Sequence, residues 1–90
     1  MLRLAPSGRF KRDAKRAAKR GKDMQKLVDV IDLLLAGSPL PANYGDHPLR
    51  GDWKGWRDLH LEPDWLLIYR VADGRLELAA SGSHADLFDK

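Results

Sequence analysis

Along this chain the repeat of apolar positions changes once, from the helical period of about 3.6 residues to the strand period of two, near residue 56. Ahead of the helical part, "LRLA" at 2–5 predicts a short strand that Pro6-Ser7-Gly8 ends, and Ser7 is placed to cap the helix that follows. In that first helix Phe10, Ala14, Ala17 and Ala18 form a narrow apolar stripe, and Lys11, Arg12, Lys15, Arg16, Lys19 and Arg20 fill the opposite side. Gly21 stops it. Asp23 can cap a second helix, whose stripe is Met24, Leu27, Val28, Ile31, Leu34 and Leu35 and which ends at Gly37.

Residues 37–55 hold four glycines and three prolines, which predicts a long irregular connection. A loop of this length in a small domain is usually functional or disordered, and its tryptophans and Tyr44 favour order. Trp53 and Trp56 are expected to anchor it. Three strands then follow, "WRDLHL", "WLLIYRV" and "RLELAAS", joined by tight turns at Pro63-Asp64 and Asp73-Gly74. The order is therefore strand, helix, helix, loop and a three-stranded meander, an α+β class.

Ninety residues are enough for one modest core, so residues 1–90 read as a single domain. With no cysteine there is neither a disulfide framework nor a thiolate metal site, which fits a reducing compartment. The longest apolar-rich run, 27–36, contains Asp29 and Asp32 and is far shorter than the ~20 residues of a bilayer span. No secretory leader pattern opens the chain. These features together predict a soluble cytoplasmic protein without a membrane partner.

Charge divides the chain in two. Residues 1–30 carry ten Lys/Arg against three Asp, whereas the remaining sixty carry six against ten. A basic segment beside an acidic one suits docking on nucleic acid or on an acidic protein, although a solvated helix face has the same composition.

All three histidines of the chain, His47, His60 and His84, fall in or after the long connection. Strand parity sets Leu59 and Leu61 toward the helices and His60 on the other face, and in a hairpin turning at Pro63 it lies on the same side as Leu67 and Tyr69 of the neighbouring strand. His47 from the loop and His84 after the last strand can meet it there. Each could be an ordinary surface histidine satisfied by local hydrogen bonds. With Asp64 they have metal-ligand chemistry, but no His-x3-His or Cys/His spacing supports zinc. The third use is general acid–base catalysis, for which an imidazole of pKa ~6.5 is suited near neutral pH.

The block "DHPLRGDWKGWRDLHLEPDWLLIYRV", the terminal "SGSHADLF" and the helical "KRAAKRGKDMQKL" resemble the YafQ-like branch of the RelE/ParE superfamily, toxins of type II toxin–antitoxin systems. The resemblance covers nearly the whole chain. It implies a βααβββ microbial-ribonuclease-like (RelE-type) fold and metal-independent, cofactor-free cleavage of messenger RNA in the ribosomal decoding site. It also implies a cognate acidic antitoxin as partner. Matched by motif, His47, His60, Asp64 and His84 are the expected catalytic set, with Trp65 and Phe88 against the substrate. Lys11, Arg12, Lys15, Arg16, Lys19 and Arg20 would then face ribosomal RNA or the antitoxin.

One position departs from the family pattern. An arginine commonly stands two residues before the glycine of "GSH", and here that residue is Ala80. Loss of one donor to a developing charge reduces rates on the order of 10² to 10³, so the enzyme is expected to be weakened unless Arg50, Arg70 or Arg75 substitutes. Two other classes stay open: a ParE-like toxin that inhibits a DNA topoisomerase by protein binding, for which three histidines have no use, and a non-catalytic relative that binds RNA or titrates antitoxin.

Overall fold

A computed structural model describes residues 2–88. The first strand, β1 (Arg3–Pro6), leads into helix α1 (Gly8–Lys19), followed by α2 (Met24–Leu35). Ser7 accepts a hydrogen bond from the Phe10 amide and donates one to the Ala79 carbonyl at 2.7 Å, so the α1 cap also pins the helix to the sheet. Asp23 caps α2 through the Gln25 amide. Gly21 and Gly37 end the two helices at φ +81° and +70°, a conformation glycine adopts without strain.

The remaining strands are β2 (His47–Pro48), β3 (Arg57–Glu62), β4 (Trp65–Ala72) and β5 (Arg75–Gly82), and a short helix α3 (His84–Phe88) follows. The sheet order is β1-β5-β4-β3-β2, with β1 parallel to β5 and the other neighbours antiparallel. The predicted meander is therefore the centre of a five-stranded sheet, and the loop of residues 37–55 contributes one of its edges.

Two irregularities set which side chains face which way. Between His60 and Glu62 the β3–β4 register shifts, so that Leu61 is the extra residue, Leu59 stands opposite Leu67 and His60 opposite Leu66. His60 thus shares a face with Leu66 and Ile68, and the expectation that it lies on the same side as Leu67 and Tyr69 fails because the ladder is interrupted there. A second shift, between Ile68 and Tyr69 against β5, turns Ala80 to the face opposite Leu78.

On the helix side, Phe10, Leu27, Val30, Leu34, Leu59, Leu67 and Leu78 form the main core. Val30 is buried while Val28 is exposed, so the α2 stripe is rotated from the one read in the sequence. Trp65 belongs to this core at 1 % exposure. On the other side lies a smaller cluster of Leu66, Ile68, Ala80 and Leu87, edged by Leu49, Trp53, Trp56 and Phe88.

Candidate active site

Leu87 of the smaller cluster, with Leu49, Trp53 and Phe88 from its edge, lines a cleft of about 890 Å³, whose lining also includes His47, Arg50, Asp52, Asp58, His60 and His84. Strands β2 and β3, the loop between them and helix α3 supply these residues, so they are positioned by separate pieces of local chemistry.

His84 opens α3. Ser83 and Asp86 cap that helix reciprocally, the Ser83 amide donating to Asp86 and the Asp86 amide to the Ser83 hydroxyl. Backbone and hydroxyl donors at Ser83 and the Arg20 guanidinium hold the Asp86 carboxyl down to about 2, so this cap persists across the whole neutral range. The His84 backbone amide donates to Asp64 Oδ1 at 2.8 Å, and its Nδ1 lies 2.6 Å from the same oxygen. A carboxylate can only accept there, so Nδ1 carries the proton. These two contacts depress the Asp64 carboxyl below its ordinary range, the backbone amide most strongly.

His47 is held by the tight turn before it. Its Nδ1 sits 2.9 Å from the Gly45 carbonyl and 2.9 Å from Asp58 Oδ1, two oxygens whose approach again requires a proton on Nδ1. Gly45 adopts φ +61°, and a Cβ there would stand 3.2 Å from His60 Nδ1, so glycine is required both by the backbone and by the ring it supports. The ring centroids of His47 and His60 are 6.4 Å apart, those of His60 and His84 5.7 Å, and those of His84 and Phe88 6.4 Å. The three histidines expected to meet do so, in a row that ends on an aromatic face.

Asp58 is the residue that the sequence reading missed. It is 3 % exposed, and its Oδ1, although close to the His47 ring, completes no hydrogen bond with a described residue. The single Nδ1 proton of His47 goes to the Gly45 carbonyl, which leaves Asp58 Oδ1 close to the ring but without its donor. Burial raises its carboxyl above the ordinary range, opposed by the nearby imidazoles of His47, His60 and His84. The signal was available: Asp58 and His60 stand two apart in one strand and so share a face.

Trp65 does not join this group. It lies on the helix face with Lys22 5.7 Å over its ring, and its burial leaves no face on which a base could stack. Expecting it at the substrate followed from the family motif, whereas the register shift that parts His60 from Leu67 sets Trp65, Leu67 and Tyr69 on the helix face. Ala80 lies at 0 % exposure within the smaller cluster. Of the arginines that could replace an arginine there, Arg70 stacks on Trp56 at 4.1 Å and pairs with Glu77, and Arg75 pairs with Glu77. Arg50 lines the cleft.

Lys11, Arg12, Lys15, Arg16, Lys19 and Arg20 are all exposed. Two are engaged with acids: Arg16 with Asp13 at 3.1 Å, and Arg20 with Asp86 at 3.0 Å. Asp13 itself is buried and accepts from the Ser81 amide, tying α1 to β5. The open basic arc is consequently narrower than its composition suggests, centred on Lys11, Arg12, Lys15 and Lys19. No helix among the described residues is long and apolar enough to cross a membrane.

Chemically, the arrangement is a set of proton-exchanging groups around an open, partly apolar cleft in a small α+β domain. The chain belongs to the YafQ family, bacterial toxins of type II toxin–antitoxin systems, which it matches over residues 2–89. It is 53 % identical over 83 residues to the mRNA interferase toxin YafQ of Escherichia coli K12, covering 91 % of this chain and 90 % of that protein. The crystal structure of YafQ from E. coli BL21(DE3) superposes with a TM-score of 0.93 at 48 % identity, covering 98 % of this chain and 99 % of that one. YafQ in the E. coli DinJ–YafQ complex gives 0.90 at 49 % identity over the same shares.

Proposed function

We propose that this chain is the toxin of a type II toxin–antitoxin pair and that it cuts messenger RNA on the ribosome by metal-independent proton transfer. Support comes from its membership of a toxin family and from its similarity to a relative named mRNA interferase. The observation that carries the chemistry is the row of three imidazoles in which Asp64 orients one, a general base fixed by a third group.

In the reaction, one imidazole removes the proton of a ribose 2′-hydroxyl as the oxygen attacks the adjacent phosphorus. A second donates a proton to the departing 5′-oxygen. The products are a 2′,3′-cyclic phosphate and a 5′-hydroxyl, and no water is consumed. His84 and His60 are the proton-transfer pair. Asp64 keeps His84 in the tautomer that leaves Nε2 free for the substrate, and His47 with Asp58 fills the far end of the row. Phe88, half-buried at the near end, offers a face for an unpaired base.

The unpaired cations of α1 meet ribosomal RNA phosphates, a contact independent of sequence and sensitive to salt. An antitoxin with acidic segments would cover the same arc, as suits a family in which the E. coli relative is found in complex with DinJ. Ribosomes place the protein in the cytoplasm. A topoisomerase inhibitor of the ParE type would have no use for the histidine row.

The test is single-turnover cleavage of messenger RNA on programmed ribosomes, using toxin treated with chelator and then desalted. Discrete codon-linked cuts at an undiminished rate are expected. Intact messenger RNA, or cleavage that returns only after zinc is added, would overturn the reading.

A further inference from the structure

We infer that Arg50 is the phosphate-facing cation of this cleft, a catalytic residue that contacts the non-bridging oxygens of the scissile phosphate; the inference rests on the nuclease reading above.

The cleft is lined by proton carriers and by two carboxylates, Asp52 and Asp58, with Asp64 behind His84, near the place where a phosphate must gain negative charge. Two acids in that position raise the energy of a pentacoordinate dianionic phosphorane, so a fixed positive charge is needed to offset them. Among the residues lining the cleft Arg50 is the one lysine or arginine. Its competitors are committed elsewhere: Arg57 to Asp46, Arg70 to Trp56 and Glu77, and Arg75 to Glu77. Arg50 is exposed and pairs with no carboxylate among the described residues. An arginine without an acid partner, beside a cleft built for an anionic ligand, keeps its planar fork for the ligand.

Its backbone is set firmly even though its side chain is open. Leu49, the preceding residue, packs against the smaller cluster and its amide donates to the Trp56 carbonyl at 2.9 Å. After Arg50 the chain enters a short 3-10 turn, Gly51–Trp53, through Gly51 at φ +64°. The Trp53 ring then meets Trp56 edge-on at 6.2 Å. The tryptophans that anchor the loop thereby fix the point from which Arg50 reaches over the cleft. The same placement accounts for an alanine at position 80: charge enters the site from the loop and not from β5.

The experiment compares wild type, Arg50→Gln and Arg50→Lys in single-turnover cleavage on programmed ribosomes at saturating toxin, with ribosome affinity measured separately. Arg75→Gln serves as the control. Arg50→Gln is expected to reduce the cleavage step on the order of 10²-fold while changing ribosome affinity by less than about threefold and leaving the pKa values of the pH–rate profile in place. Arg50→Lys should recover part of the loss, because a lysine returns the charge without the bidentate fork. Arg75→Gln should cleave as wild type does. Cleavage by Arg50→Gln within about threefold of wild type, or a loss confined to affinity, would overturn the assignment and leave the nuclease reading standing. A wild-type protein that does not cut would overturn both.

Discussion

The two faces of the sheet are built from the same three strands and obey different rules. On the helix face, Leu59, Leu67, Leu76 and Leu78 are almost fully buried in one continuous, mostly apolar core. On the cleft face, four apolar residues support three half-open imidazoles, a buried carboxylate oxygen without a hydrogen bond, and a glycine in the left-handed region. The first face is where the chain gains its stability. The second holds groups that a purely stable protein would not keep, which is the usual exchange of stability for function at a site.

The contrast would break most visibly at His84. Its side chain contacts an exposed carboxylate and little else that stabilises, so His84→Ala should lower cleavage on the order of 10² to 10⁴-fold. The melting temperature should move by no more than about 4 °C. Growth arrest by the induced variant equal to that by wild type would remove His84 from the mechanism.

Leu67→Ala is the reciprocal case on the helix face. Leu67 is 0 % exposed in the main core, and truncation should cost about 2–5 kcal/mol in urea unfolding. The fraction that remains folded should cleave at the wild-type rate. A per-molecule rate as low as that of His84→Ala would show that the faces are not separable.

Asp58→Asn sharpens the comparison, because it should raise stability and lower activity together. The native carboxyl binds its proton more tightly than the unfolded one, so the native chain holds more protons between the two values and stability falls as pH rises through that window. Above it the penalty is complete. Asparagine removes it, so the urea midpoint should rise at pH 7, by about 0.5–2 kcal/mol in stability, and the gain should vanish below the ordinary carboxylate range near about 4. An equal gain at both pH values would mean that desolvation of the charge is not the cause.

The smallest effect per residue lies outside both faces. Glutamine at Lys11, Arg12, Lys15 and Lys19 should lower the salt dependence of ribosome binding by about one unit of slope for each phosphate no longer neutralised. Glutamine at Arg16 and Arg20 should do less, since Asp13 and Asp86 already neutralise them. Equal changes of slope from the two sets would show that those ion pairs open on the ribosome.

Much of this was legible in the sequence, for identifiable reasons. Ser7, Asp23, Gly21 and Gly37 act through backbone chemistry a few residues away, so their roles could be read locally. The convergence of His47, His60 and His84 followed from parity and element order. What escaped depended on a single-residue slip: the extra Leu61 exchanged the neighbours of His60 and set Trp65, with Leu67 and Tyr69, in the core. Helix α3 carried a readable capping box, Ser83-x-x-Asp86, ahead of only five helical residues. Asp58 looked like an ordinary strand acid until its burial was known.

The parallel pairing of β1 with β5 joins the first strand to be synthesised to the last of the five, Arg3 opposite Arg75. Ser7, which caps α1, likewise finds its carbonyl partner only at Ala79, and Asp64 meets its imidazole only at His84. Contacts that span so much of the chain form late and slowly. A nascent chain halted before residue 75 would therefore display its basic helix on the ribosome's surface without a completed row of imidazoles. If the row of imidazoles is the cutting centre, as proposed above, the order of synthesis itself withholds that centre from the machine that is making it.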